Sequence, residues 1–148
     1  MQLVYGRSEA MNDRGERTMR NFKGLMTSLS PHWSTPKWLY DELDKEFRFD
    51  DDPCPLRSRQ DGLHRRWGQR VFVNPPYGRE IGKWVEKAYL SFKQGGSVVV
   101  CLLPSRTDTK WWHDYIMKAD EIRFIKGRLK FGGSKNSAPF PSCVVIFK

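Results

Sequence analysis

The stretch that most constrains this chain is residues 71–78, VFVNPPYG. Val71, Phe72 and Val73 are β-branched or aromatic, as in a buried strand. Asn74-Pro75-Pro76-Tyr77-Gly78 closes that strand, because neither proline can donate to a sheet ladder. The backbone must leave the sheet at Asn74, at the strand's carboxyl end, and enter a stiff turn.

The surrounding pattern alternates strand and helix. Ser34 or Thr35 as N-cap and Pro36 at the first helical position start a helix over about 36–46, with Leu39, Leu43 and Phe47 four apart. Phe47–Asp50 reads as a strand ending in three aspartates and Pro53, and 53–70 as an arginine-rich loop. After the turn, Ile81, Trp84, Val85, Ala88, Tyr89 and Phe92 make one helical face, stopped by Gly95-Gly96. Ser97–Leu103 is an unbroken apolar run, as in a strand covered on both faces, and Pro104 ends it. A helix near 108–118 and strands near 121–125, 128–131 and 142–147 complete an α/β order. The loops after Asp52, Asn74 and Pro104 should then line one sheet edge, where open α/β sheets bind ligands. Residues 1–30 show no sustained period and read as a mobile or weakly helical basic arm before a single domain, 31–148.

Composition narrows the function. The formal charge is +9, from 26 Lys+Arg against 17 Asp+Glu, which favours a polyanionic partner, nucleic acid first. No apolar run approaches the ~20 residues that span a bilayer, and the first residues lack the apolar core of a signal peptide. Cys54, Cys101 and Cys143 give neither a disulfide framework nor zinc-ligand spacing. The expectation is a cytoplasmic protein with no metal and no membrane partner, a monomer being favoured.

The turn itself points to chemistry. Asn74 Oδ1 and the Pro75 carbonyl can each accept one N–H of an exocyclic amine, while Pro76 stiffens the corner and Tyr77 can lie against a planar ring.

Beyond that motif, the blocks WSTPKWLYDEL, FRFDDDPCP, DGLHRRW, VFVNPPYG, KWVEKA, VVVCLLPSRTDTKWW, EIRFIKGRLKF and APFPSCVVIF occur in order. Together they resemble the phage-type DNA N6-adenine methyltransferases, the small Dam-like group, from about Trp33 to the end. The resemblance implies an abbreviated Rossmann-like methyltransferase sheet with helices on both faces and a terminal antiparallel strand pair. It implies methyl transfer from S-adenosylmethionine to the N6 amine of adenine in double-stranded DNA, with the base flipped out of the duplex. It also implies a phage or prophage origin within a bacterial host.

The same resemblance carries roles onto matching residues. Trp33, Thr35 and Pro36 would pack on the cofactor, Asp52 would pair with its ammonium, with Asp50 and Asp51 as alternatives, and Asp61 would accept from its adenine amine. Phe131 or Phe140 would supply a second wall for the target base. Arg57, Arg59, Arg65, Arg66, Arg106, Lys110, Arg128, Lys130, Lys135 and Asn136 would touch DNA, phosphate contacts giving affinity rather than sequence. A short or relaxed target site follows from the lack of a separate recognition domain. One departure stands out: DDDPCPLRSRQDG has no early glycine where most S-adenosylmethionine enzymes carry a Gly-rich turn. The alternatives are N4-cytosine, RNA-base or protein-glutamine methylation, or an inactive nucleic-acid-binding relative.

Overall fold

The computed structural model describes residues 8–11, 17–20, 34–55, 61–132 and 135–148. They fall into two compact units, Met1–Pro31 and His32–Lys148. In the first, β1 (Ser8–Met11) pairs antiparallel with β2 (Arg17–Arg20), strands where the aperiodic sequence suggested at most weak helix. Hairpin partners are close in sequence and need no long-range period.

The second unit is built on a four-stranded sheet of order β3-β4-β6-β5. Its strands are β3 (Arg70–Val73), β4 (Val98–Pro104), β5 (Glu121–Phe124) and β6 (Ser142–Phe147). β3 and β4 run parallel, whereas β6 is antiparallel to both β4 and β5. β4 and β6 are the inner strands and are apolar almost throughout, because both of their faces are covered.

Alternation along each strand sends successive side chains to opposite faces. Val71, Val73, Val99, Cys101, Leu103, Cys143, Val145 and Phe147 form one core. Helix α2 (Ile81–Gly95) covers it with Ile81, Trp84, Val85 and Ala88, spaced as one helical face, and Trp112 and Ile116 join them. Gly96, in the left-handed region at φ 69°, receives the end of α2, a backbone state that glycine adopts without strain. Phe72, Val100, Leu102, Val144 and Ile146 point the other way and meet Leu39 and Leu43 of helix α1 (Lys37–Phe47), with Leu129, Phe131, Ala138 and Phe140. Helices therefore lie on both faces, and the chain closes with an antiparallel pair.

Three expected elements differ. The strand at Phe47–Asp50 is absent: α1 continues to Phe47, Arg48 turns into the left-handed region, and pairing beside β3 shrinks to one parallel bridge, Asp51 with Val71. The helix near 108–118 splits into α3 (Lys110–Asp114) and a 3-10 turn over Ile116–Lys118. Residues 128–131 keep strand-like alternation, with Arg128 and Lys130 exposed and Leu129 and Phe131 buried, yet form no strand. The alternation satisfies burial. The backbone is held only at points, by Ala138 N–H to the Leu129 carbonyl (2.7 Å) and by a bridge between Ser34 and Gly132.

Candidate active site

Because Asp51 pairs parallel to β3 and β3 parallel to β4, the chain leaves this sheet at Asp52, Asn74 and Pro104 along one edge. Asn74 follows β3 directly and is 8% exposed. Its Nδ2 donates to Thr35 Oγ1 at 3.0 Å, which sets the direction of the amide and turns Oδ1 away from Thr35. Thr35 therefore does not cap α1. The cap position is Pro36, one residue later than the sequence implied, and its carbonyl accepts from Leu39 and Tyr40 N–H at 3.1 Å each. Ser34, next in line, accepts at its carbonyl from Gly132 N–H at 2.8 Å. The segment 34–36 is thus pinned to the NPPY turn on one side and to the end of the Phe131 segment on the other.

Pro75 is buried and Pro76 half-buried, as expected of a turn seated on the sheet edge. Tyr77 folds back over β4, which outruns β3 here, and its hydroxyl donates to the Leu102 carbonyl at 3.3 Å. Burial pushes the Tyr77 phenol well above its ordinary pKa, so it stays protonated. Its ring meets Phe140 edge-on at 5.2 Å and Phe131 at 6.2 Å, while Phe131 and Phe140 lie 6.0 Å apart. Both phenylalanines expected near the target base thus stand beside Tyr77, and both also belong to the core.

The three aspartates separate cleanly. Asp50 Oδ1 accepts from Gln69 and Arg70 N–H (3.1 and 3.0 Å), tying the loop to β3. Asp51 accepts two bonds from Arg65 (2.7 and 2.8 Å) and one from Gly68 N–H (2.8 Å). The Arg65 bond holds the Asp51 carboxyl below the usual carboxylate range. Asp52 accepts only from Cys54 N–H in its own turn, at 3.2 Å, among the described residues. Burial raises its pKa, and neighbouring Asp51 adds to the rise. Two of the acids are engaged in holding the fold; the third is a desolvated carboxylate at the sheet edge.

Asp61 is engaged in its own turn. It accepts from Leu63 N–H at 3.0 Å, capping the 3-10 turn Gly62–His64, and pairs with the His64 ring. That turn abuts the loop after Asp52. A Cβ at Gly62 would lie 2.0 Å from the Pro53 carbonyl oxygen and 2.8 Å from the Trp84 ring, so only glycine fits.

The cations expected on DNA divide as well. Arg65 is consumed by Asp51, and Lys110 pairs with Asp114 one turn along α3. Arg66, Arg128, Lys130, Lys135 and Asn136 are exposed, and Arg106 is half-buried in the loop after β4. Trp33, Arg57 and Arg59 lie outside the described residues. Among the described residues no group of three or more His, Cys, Asp or Glu could hold a metal ion, and no helix is long and apolar enough to cross a membrane. Arg65's role was illegible in sequence because its partner is set by the fold. One buried residue at this edge, Ser142, is marked in sequence only as a hydroxyl heading an apolar strand.

The family model described as DNA N-6-adenine-methyltransferase (Dam) matches residues 23–147. The chain belongs to that family, whose members methylate adenine in DNA at N6. A search of curated proteins found no match, and neither did a search of solved structures.

Proposed function

We propose that this protein transfers a methyl group from S-adenosylmethionine to N6 of an adenine flipped out of double-stranded DNA, at the turn Asn74–Tyr77. The observation that carries the proposal is the Asn74 amide, held through Nδ2 by Thr35 at the carboxyl edge of the sheet. That bond engages the nitrogen end of the amide, and in this reading Oδ1, on the side away from Thr35, is the acceptor for an amine N–H.

An aromatic amine is a weak nucleophile because its lone pair is delocalised into the ring. In this reading Asn74 Oδ1 and the Pro75 carbonyl accept its two N–H groups and turn the lone pair out of the ring plane. Catalysis is then positioning by groups fixed in advance. Tyr77 and one of Phe131 and Phe140 bound the ring, in a cluster already assembled in the structure.

The donor set also suits the cofactor. A desolvated carboxylate whose one hydrogen bond among the described residues comes from its own turn fits a cationic partner, so Asp52 would take the cofactor's ammonium group. Thr35 and Pro36 would line the same side, and Asp61, in the turn against the Asp52 loop, would meet the cofactor's adenine. When bound, S-adenosylmethionine supplies an electrophilic methyl on a positively charged sulfur. Arg66, Arg106, Arg128 and Lys130 would contact phosphates.

The test is nucleoside mass analysis of DNA from a host that lacks adenine methylation of its own and expresses this chain. N6-methyladenine is expected. N4-methylcytosine, or no modified base, would overturn the reading.

A further inference from the structure

Ser142 is the first residue of β6 and is fully buried. β6 runs antiparallel to β4, so its first residue sits at the same carboxyl edge as the Asn74 turn, opposite Pro104. Alternation puts Ser142 on the face of Val144 and Ile146, which is the face of Leu102, Phe131 and Phe140. Phe140 is two residues upstream, its ring 5.2 Å from Tyr77. Tyr77 in turn bonds to Leu102, two residues before Pro104. These relations place Ser142 on the same face and at the same edge of the sheet as the aromatic group that would bound the base.

Its polar atoms divide unequally. The Ser142 carbonyl accepts from Ile125 N–H at 3.1 Å. The hydroxyl is buried and, among the described residues, has no hydrogen-bond partner. Leaving a hydroxyl out of water without a partner costs free energy, and buried hydroxyls in working proteins are nearly always hydrogen-bonded. Of the other hydroxyls at this edge, Thr35 accepts from Asn74, whereas the Ser105 hydroxyl, like that of Ser142, has no hydrogen-bond partner among the described residues. Ser105 follows Pro104, so alternation turns it to the opposite face of the sheet, away from the aromatic group. An apolar strand with both faces covered has no packing need for a hydroxyl at that position.

We propose that Ser142 reads the ring of the target base: its Oγ–H donates to a ring nitrogen of the purine whose amine is held by Asn74 and Pro75. The assignment rests on the adenine reading above. It makes Ser142 a specificity residue, since a ring position carrying C–H instead of nitrogen would leave the hydroxyl unsatisfied. Rejection of such analogues is stronger than that of ones differing only in apolar bulk.

The experiment first maps an adenine that the unaltered protein methylates, then places 1-deaza-, 3-deaza- or 7-deazaadenine at that position in a duplex. One analogue should lower kcat/KM about tenfold for the unaltered protein, the size expected for one buried hydrogen bond. Ser142→Ala should lose about as much on adenine itself and lose little more on that analogue, with a melting temperature equal to or above that of the unaltered protein. Should Ser142→Ala not fold, Ser142→Cys, similar in volume and a weak donor, reads the same coupling. Full activity of the variant, or losses that add for all three analogues, overturns the proposal. If the unaltered protein methylates no adenine, the adenine reading falls with it; if it does and Ser142 shows no coupling, only the Ser142 assignment falls.

Discussion

Thr35 and Asn74 are 39 positions apart in sequence, and their side chains meet at 3.0 Å, the threonine hydroxyl accepting from the asparagine amide. Thr35→Val should let that amide rotate and lower kcat about tenfold, one ordinary hydrogen bond's worth, with a small change in DNA affinity. Thr35→Ser should retain most of the rate. Steady-state methyl-transfer assays on both variants check this, and equal rates for the two would remove Thr35 from the positioning of Asn74.

Asp51 and Arg65 form a partly buried, two-bond ion pair beside β3. Asp51→Asn should cost about 1–2 kcal/mol near neutral pH, discounted because a third of the Arg65 side chain is exposed. The folded-state pKa of Asp51 is depressed. Its contribution is therefore complete above the unfolded carboxylate value, about 3.9, and is lost as pH falls through the lower folded value. Urea midpoints measured across acid pH should show this loss in the unaltered protein and a flatter curve in Asp51→Asn.

Asp52 should behave in the opposite way. Its pKa is raised by burial, so the folded state resists its ionisation and loses a little stability as pH climbs from the unfolded value to the folded one. Asp52→Asn removes that penalty and should melt at the same temperature or higher. Its affinity for S-adenosylmethionine should fall about ten- to a hundredfold, the worth of a charge-assisted hydrogen bond. Calorimetric titration and thermal melting together separate the two aspartates; an Asp52→Asn protein with full cofactor affinity would return the role to another group.

Gly62→Ala should be among the most damaging single methyl additions. The new carbon would meet the Pro53 carbonyl at 2.0 Å, a backbone atom that cannot swing aside. The expected cost is about 3 kcal/mol, at the upper end for overpacking, seen as a lowered urea midpoint or loss of soluble protein.

Arg128 and Lys130 are exposed on a segment whose buried residues, Leu129 and Phe131, belong to the core. If both reach phosphates, replacing both with alanine should reduce the slope of log affinity against log salt by about 0.9 for each phosphate no longer neutralised. An unchanged slope in filter-binding or fluorescence titrations would move the DNA track elsewhere.

The elements that sequence alone determined are those whose pattern is local and whose surroundings are uniform. The single apolar face of α2, the unbroken run of β4 and the proline corner after β3 each satisfy their backbone within a few residues or bury everything they carry. The NPPY turn could be placed at a sheet edge for the same reason, since two consecutive prolines leave no other option. Tertiary structure decided whatever depends on a partner far along the chain. Residues 128–131 alternate like a strand but, among the described residues, have no strand beside them to pair with. Thr35 reads as a helix cap until Asn74 arrives beside it, and three adjacent aspartates become distinct only once Arg65, Gly68 and the β3 backbone claim two of them. Polar side chains satisfy whichever group the fold brings within 3 Å, and a linear sequence does not encode that distance.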